Sequence, residues 1–145
     1  MSDPESPDLD LARRCAERLL DSDEASKRLG ISISVTAAGQ AVAVMSVRDD
    51  MLNGFGICHG GYIFTLADTA FAFACNAYND VTVAAAGSIE YLQPVHGGDR
   101  LEASAVEDYR EGRRGFYTVT VARGESDVVA LFRGRSTSRS EPLLK

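Results

Sequence analysis

A glycine-rich segment, residues 53–61, runs directly into a stretch that is apolar on nearly every side and ends near Cys75. A helix that is apolar all round must be enclosed by protein or by lipid, because a surface helix keeps a polar face. The charge of Asp68 interrupts the stretch, and its length is below the roughly 20 residues that cross a bilayer. The sequence therefore predicts a buried core helix, around which the rest of the chain must fold.

The interior charge of this helix, Asp68, shares one narrow polar stripe with Thr65 and Thr69, because the three residues stand at i, i+3 and i+4. A buried carboxylate is costly unless it is paired, hydrogen-bonded or used in chemistry. Asp68 is either a structural carboxylate satisfied by a partner subunit or a functional group. The residues alone leave both interpretations open.

Length and composition exclude several classes of protein. The 145 residues fit one domain, residues 1–145, and the net charge of -6 argues against a nucleic-acid partner. The N-terminus is acidic and has no apolar segment typical of a secretory signal. Three cysteines without metal-type spacing argue against a disulfide framework and favour a reducing cytoplasm: Cys15, Cys58 and Cys75.

The N-terminal part of the chain predicts one helix and one hairpin. After a flexible tail at residues 1–8, apolar residues recur at helical spacing through residues 9–20. Residues 22–29 are expected to add a short helical turn. Residues 31–35 and 40–47 alternate apolar and polar side chains on either side of a turn, which predicts a β-hairpin.

Beyond the central helix the chain is typical of strands only. Proline and glycine turns separate four runs of strand-forming residues: 81–92, 101–105, 117–121 and 128–137. A hairpin, a helix and a meander define the α+β class, with the helix against an antiparallel sheet. Because one flat sheet covers only one side of so apolar a helix, we expect the sheet to curl around it or a second copy to cover it. Residues 139–145 are expected to be a flexible tail.

Three groups of residues carry a resemblance to a known family. They are the spacing Asn53…His59-Gly60-Gly61…Asp68-Thr69, the run Ser-Ile-Glu-Tyr-Leu-Gln-Pro at 88–94, and Leu-Phe-Arg-Gly-Arg at 131–135. Over residues 31–137 the chain resembles the hotdog-fold acyl-CoA thioesterases of the phenylacetate-degradation type. The resemblance implies a curved antiparallel sheet wrapped around one long central helix. It also implies a homodimer or a dimer of dimers that hydrolyses aryl-acetyl or hydroxyaryl-acetyl CoA without a cofactor.

The resemblance also implies roles for individual residues. Asp68 is expected to act as nucleophile or general base, and the backbone N–H of Gly60 is expected to polarise the thioester carbonyl. Asn53, His59 and Thr69 occupy positions that line the site in the family. Whether Asp68 attacks directly or activates water is not decided by the sequence.

Elementary chemistry supports a site that is divided between two subunits. Gly60 and Gly61 present N–H groups at the start of a helix, where the dipole is positive and a ligand carbonyl can approach closely. Eight residues of helix place Asp68 roughly 12 Å from Gly60, whereas a carbonyl must lie about 3 Å from its oxyanion donors. We therefore predict that the loop of one subunit faces Asp68 of another.

Two further groups of residues are candidates for binding the substrate. Phe55 and Tyr62 suit an aromatic acyl group, although apolar side chains here could equally form a dimer core. Arg110, Arg113 and Arg114 could hold the phosphates of coenzyme A, because arginine suits phosphate geometry. The alternative is that these three arginines are solvated charges at a hairpin tip.

Other functions remain open at this point. His59 with Asp68 could imitate the histidine and carboxylate pair of the related 3-hydroxyacyl thioester dehydratases, although a histidine before a Gly-Gly turn more often braces the loop. A non-catalytic acyl-CoA-binding module is a second alternative. A metal site is not expected, because His59 and His96 are the only histidines. There is also no Gly-x-Ser-x-Gly motif of a serine hydrolase.

Overall fold

The computed structural model describes residues 7–145, and these fold around one helix and one sheet. The helices are α1 (Pro7–Asp21), α2 (Glu24–Arg28) and α3 (Gly60–Cys75), with a short 3-10 turn at Asp49–Met51. The strands are β1 (Ser32–Ala37), β2 (Gln40–Ser46), β3 (Thr82–Tyr91), β4 (Arg100–Glu111), β5 (Arg114–Arg123) and β6 (Asp127–Ser138).

The strands form one antiparallel sheet of six strands in the order β1-β2-β4-β5-β6-β3. Alternate residues of the central strands face α3 and are buried, as in the pattern of Tyr117, Val119 and Val121 along β5. The opposite face of the sheet carries the polar residues of the same strands, which is the alternation that a half-covered antiparallel sheet requires. The sheet and the single helix α3 confirm the α+β hotdog fold.

The central helix α3 is enclosed as its composition predicts. Leu66, Ala67 and Ala70 have no accessible surface, and Phe71 and Phe73 retain at most 2%. The sheet approaches this helix closely, because a methyl group added to Gly134 of β6 would lie 2.9 Å from the ring of Phe71. Burial of these side chains, at about 1.5–3 kcal/mol for each large one, stabilises the arrangement.

The end of α3 is fixed by one side chain. The Asn76 amide donates to the carbonyl oxygens of Ala72 and Thr82, both at 2.9 Å, and its Oδ1 accepts from the Thr82 N–H at 2.9 Å. The Asn76 side chain thus adds a second donor to the Ala72 carbonyl, which also accepts the Asn76 N–H at 3.1 Å, and it links the helix end to the start of β3.

The two edges of the sheet differ in how they are covered. Along β1, helix α1 buries Leu9, Ala12 and Cys15 against the core. At the other edge, β3 is paired only with β6, and Val83 and Tyr91 expose 41% and 50% of their surface. A long, bare and largely apolar edge strand is a template for pairing with another chain.

The structure differs from the sequence-based expectations at the boundaries. Helix α1 begins at Pro7, a residue type suited to the first helical position. Residues 7 and 8, which were expected to belong to a flexible tail at 1–8, are therefore helical. Residues 1–6 lie outside the described part of the chain. Strand β4 continues to Glu111, well beyond the expected run at 101–105, because a bulge between Glu107 and Tyr109 redirects the strand without ending it.

The C-terminal residues are a second correction. Residues 139–145 were expected to be a flexible tail, but the Arg139 N–H donates to the carbonyl of Val81, and the Val81 N–H donates to the carbonyl of Glu141, both at 2.8 Å. The Leu144 N–H donates to Oδ1 of Asn79 at 2.7 Å. These contacts hold the segment against the start of β3.

Candidate active site

The loop before α3 is braced by the side chain of Asn53. Its Oδ1 accepts hydrogen bonds from the N–H groups of Phe55 at 2.9 Å and Ile57 at 3.3 Å. Its own N–H donates to the carbonyl of Ile57 at 2.8 Å. An asparagine that bonds to the backbone two residues ahead forms an Asx turn, which explains why this residue type begins the loop. The amide nitrogen of the Asn53 side chain has no partner in the described structure.

His59 is the N-cap of α3. Its Nδ1 accepts a hydrogen bond from the Gly61 N–H at 3.2 Å, and its own N–H donates to the carbonyl of Met51 at 2.8 Å. This contact occupies Nδ1 of the imidazole with the backbone of its own helix start. The geometry is that of a brace for the loop, the alternative that the sequence favours over a general base.

Gly60 is the first residue of α3, and its N–H has no hydrogen-bond partner in the described structure. The phenol of Tyr91 on β3 donates to its carbonyl at 2.8 Å. A Cβ at position 60 would lie 2.9 Å from the Tyr91 ring, so only glycine fits without a shift. The helix start is therefore held in place while its first N–H remains free at the positive end of the dipole.

Asp68 lies halfway along α3, is partly buried and makes no hydrogen bond or ion pair within the described residues. It borders a depression of about 250 Å³ between the ends of α1, α3 and the beginning of β3. Burial raises the pKa of its carboxyl group above the usual value. A carboxylate without a partner in apolar surroundings is costly for the fold, so a functional use of Asp68 explains its presence better than stability does.

The two threonines on the stripe of Asp68 bond back to their own helix. The Thr65 hydroxyl donates to the carbonyl of Gly61 at 2.9 Å, and the Thr69 hydroxyl donates to the carbonyl of Thr65 at 2.7 Å. In this structure neither hydroxyl contacts the carboxylate of Asp68.

The apolar residues of the loop and the helix start differ in how far they are buried. Phe55 at the tip of the loop is 91% exposed, and Tyr62 packs edge-on against His59 with 6.5 Å between ring centroids. Met51 retains only 1% of its surface, and Phe64 packs against Phe132. Phe55 is therefore available to a ligand or a partner, Tyr62 is partly buried against the core, and Met51 belongs to the core.

The three candidate arginines also differ. The guanidinium of Arg110 lies 3.6 Å from the centre of the Tyr78 ring, and its Nε lies 3.6 Å from Oε1 of Glu107. The side chains of Arg113 and Arg114 are exposed and form no ion pair within residues 7–145. Arg110 is thus engaged within the chain, and Arg113 and Arg114 are free to bind an anion.

Sequence reasoning missed two groups of residues near the site. Tyr91, which positions Gly60, lies in the motif at 88–94, but no local pattern connects it to a residue so far away in the chain. The other group is centred on Glu107, whose Oε1 accepts from the phenols of Tyr78 at 2.9 Å and Tyr117 at 2.8 Å. This carboxylate ties the end of the α3 segment to β4 and β5.

The described residues offer no alternative chemistry based on a metal or on reactive thiols. Within residues 7–145, no group of three or more histidine, cysteine, aspartate or glutamate side chains is placed to hold a metal ion. The three cysteines are buried and reduced, and burial raises the pKa of Cys58 to about 11 and that of Cys75 to about 12. No helix in the described part of the chain is long and apolar enough to cross a membrane.

A curved antiparallel sheet packed around one apolar helix is the hotdog fold of the thioesterases. The chain belongs to the thioesterase superfamily, whose family model matches residues 55–130. It is therefore a thioester hydrolase.

Individual relatives point to one type within this superfamily. The chain is 42% identical over 121 residues to acyl-coenzyme A thioesterase PaaI of Escherichia coli (strain K12), covering 83% of this chain and 86% of that protein. The structure of the E. coli PaaI protein from the phenylacetic acid degradation operon superposes with a TM-score of 0.89 at 39% identity, over 92% of this chain and 96% of that one. A Streptococcus mutans UA159 protein, smu.793 bound to acetyl CoA, has a TM-score of 0.73 at 25% identity, covering 77% and 90%.

Proposed function

We propose that this protein hydrolyses acyl-CoA thioesters, with aryl-acetyl or hydroxyaryl-acetyl CoA as the class of substrate, at sites shared between two subunits. The observation that carries the proposal is that two groups on α3 have no partner within the described residues: the carboxylate of Asp68 and the N–H of Gly60. The similarity to PaaI of E. coli supports the aryl-acetyl class, and the acetyl CoA bound to the S. mutans relative supports the coenzyme A ester.

The chemistry assigns each group one task. The free N–H of Gly60 donates to the thioester oxygen as negative charge develops on it, an interaction that strengthens in the transition state. Asp68 either attacks the carbonyl carbon or removes a proton from an attacking water. Direct attack forms a mixed anhydride and expels the thiolate of coenzyme A, and water then cleaves the anhydride. General-base catalysis expels the same thiolate without a covalent enzyme intermediate.

The two groups must come from different subunits. Both lie on α3, and a rise of about 1.5 Å per residue separates them by roughly 12 Å along the helix. A single carbonyl cannot be within reach of both, because it must lie about 3 Å from its donor.

The bare edge of β3 provides the means of bringing them together. A second copy pairs with this edge antiparallel, around a two-fold axis near the middle of the strand. The Tyr91 end of one strand then lies beside the Thr82 end of the other. Because Tyr91 holds Gly60, and Thr82 and Ala84 border the depression of Asp68, the pairing delivers the loop of each subunit to the carboxylate of its partner.

In this proposal, arginine side chains bind the phosphates of coenzyme A. Arg113 and Arg114, whose side chains have no ion-pair partner in the described chain, are the ligands of choice, and Arg110 contributes less because Glu107 and Tyr78 already hold it. Charge reversal at Arg113 and Arg114 should raise KM for a coenzyme A ester about tenfold. Equal effects on a truncated thioester that lacks the nucleotide would contradict this assignment.

Subunit complementation tests the shared site. Asp68→Asn and Gly60→Ala are each expected to be inactive, but a mixed dimer contains one site with both native groups. Random exchange of equal amounts gives half mixed dimers with one good site each, so about a quarter of the wild-type specific activity should return. Two differently tagged copies, co-expressed and purified through both tags, should show about half. If neither preparation gains activity, each chain carries its own site and the proposal fails.

A single-turnover experiment distinguishes the two possible roles of Asp68, nucleophile and general base. A single turnover in water labelled with heavy oxygen places the label in the released acid if water attacks directly. If Asp68 attacks and water then cleaves the anhydride at the aspartyl carbonyl, the aspartyl C–O bond breaks, the first released acid is unlabelled and the label is found on the aspartate.

A further inference from the structure

The depression beside Asp68 has walls from three separate parts of the chain. They are the end of α1, the second half of α3 and the first residues of β3, and the apolar side chains that line it are Leu19, Phe71, Ala72, Cys75, Val83 and Ala84. The N-terminal helix thus contributes directly to the surroundings of the carboxylate, although it lies outside the sheet and far from the loop of Gly60.

The polar groups of the depression, with one exception, are already satisfied. Asp23 accepts from the Ser26 N–H at 3.0 Å and from its hydroxyl at 2.6 Å, and the Thr82 hydroxyl donates to the carbonyl of Asp80 at 2.7 Å. Asn76 is fully engaged with Ala72 and Thr82. Among the described residues that line the depression, Asp68 alone has a charged group without a partner. Such a cavity suits an uncharged, apolar group placed beside a reactive carboxylate.

The size of the cavity limits that group. Its volume is about 250 Å³, below the roughly 300–1,000 Å³ of pockets that enclose drug-sized ligands. One aromatic ring or a short acyl chain matches this volume, and Leu19 is the large aliphatic side chain that α1 contributes to the lining.

We propose that this depression is the acyl subsite and that Leu19 of α1 determines which acyl groups it admits. The inference rests on the proposed thioesterase site and deepens it, since it names the residue that sets the size of the acyl group. It also places the main acyl contacts on the Asp68 side, whereas Phe55 and Tyr62 belong to the half of the site that contains the loop.

The neighbouring residue provides a matched control. Leu20 is the next residue on the same helix and is also partly buried, but it faces a separate groove of about 340 Å³ between α1 and β1. Truncation of Leu20 therefore removes the same side chain from the same helix without enlarging the space beside Asp68.

The experiment compares kcat/KM for acetyl, phenylacetyl and octanoyl coenzyme A in the wild type, Leu19→Ala and Leu20→Ala. Leu19→Ala should raise the ratio of octanoyl to phenylacetyl activity about tenfold, as expected when a hydrophobic pocket gains space for extra methylenes. Leu20→Ala should leave the ratio within about twofold of the wild type. An unchanged ratio in Leu19→Ala, or an equal shift in both variants, would overturn the inference.

A filling variant keeps the test decisive if Leu19→Ala is poorly folded. Ala72→Val adds methyl groups to the α3 side of the depression and should lower phenylacetyl activity about tenfold relative to acetyl activity. A phenylacetyl to acetyl ratio that does not fall would also refute the acyl subsite. Failure of the proposed function would give a different result. In that case the wild-type protein would hydrolyse none of the three coenzyme A esters, whereas failure of the acyl subsite alone would leave the wild type active.

Discussion

The two halves of the site differ in how far one chain completes them. In the loop half, Asn53, His59 and Tyr91 hold the backbone through four hydrogen bonds to Phe55, Ile57, Gly61 and Gly60. In the helix half, Asp68 lies in an apolar depression without any such partner. The loop is therefore preorganised before a ligand arrives, while the carboxylate is left free to react. The difference fits the proposed shared site, in which one chain holds the Gly60 N–H in place and a second copy completes the surroundings of Asp68.

The same contrast holds at the edges of the sheet. The β1 edge is covered by α1, but the β3 edge, which lies next to the depression of Asp68, is uncovered in the single chain. Incomplete burial and incomplete hydrogen bonding thus occur together in one region of the molecule. This coincidence is what a composite site at a subunit interface requires.

Removal of the free carboxylate should have the largest effect. Asp68→Asn keeps the volume of the side chain but can neither attack nor accept a proton, so kcat for phenylacetyl coenzyme A should fall by about 10³ or more. Steady-state kinetics of the purified protein measure the loss. Thr65→Ala, which changes the same stripe of α3, should cost less than about fivefold. Activity within tenfold of the wild type in Asp68→Asn would show that the carboxylate is structural.

Disturbance of the preorganised loop should have a smaller but clear effect. Gly60→Ala places a methyl group 2.9 Å from the Tyr91 ring, so the ring or the helix start must shift and the hydrogen bond that holds Gly60 in place is disturbed. Loss of one oxyanion donor costs roughly 10²–10³ in kcat. In Gly61→Ala the added methyl lies 3.5 Å from Nδ1 of His59, an ordinary contact, and the loss should stay below about fivefold. Equal losses in the two variants would mean that general loop flexibility, rather than the Gly60 N–H, is responsible.

The histidine should matter only as a brace. Asparagine is a good N-cap, so His59→Asn should retain kcat within about threefold, whereas His59→Ala loses the cap and about 1 kcal/mol of stability. Thermal unfolding and kinetics of both variants provide the measurement. If both lose activity strongly while their melting temperatures stay unchanged, His59 acts on the substrate. Loss confined to a 3-hydroxyacyl substrate, with Asp68→Asn still active, would favour a dehydratase.

The features that could be predicted from sequence are those set by local chemistry. Three such features are the burial of α3, the alternation of buried and exposed side chains in β5, and the start of a helix at the Gly-Gly pair. Each follows from a few adjacent residues. The contact from Tyr91 to Gly60 joins distant parts of the chain, and so does the shared carboxylate of Glu107. No periodicity encodes such contacts, because they depend on which strands become neighbours. The hydrogen bonds of residues 139–145 were missed for the same reason.

The smallest expected effect is on stability, and its sign distinguishes the free carboxylate from a structural one. Burial raises the pKa of Asp68, so the folded state favours the protonated form. Protonated Asp68 therefore contributes to the free energy of unfolding at pH values below the ordinary pKa of a carboxyl group. This contribution is lost as the pH rises through the raised pKa of the folded state. Asp68→Asn should therefore melt roughly 2–6 °C higher than the wild type at neutral pH, and the gain should shrink in acid.

Asp99 provides the opposite case for the same measurement. The N–H of His96 and the guanidinium of Arg123 lower the pKa of its carboxyl group, so its contribution to stability is present at neutral pH and is lost as the pH falls through the lowered pKa. Asp99→Asn should melt at a lower temperature than the wild type at neutral pH, with the difference disappearing in acid. Thermal unfolding of both variants between acidic and neutral pH measures the two signs. A lower melting temperature for Asp68→Asn at neutral pH would show that the carboxylate has a stabilising partner in the assembled protein, and the contrast between the two halves of the site would then fail.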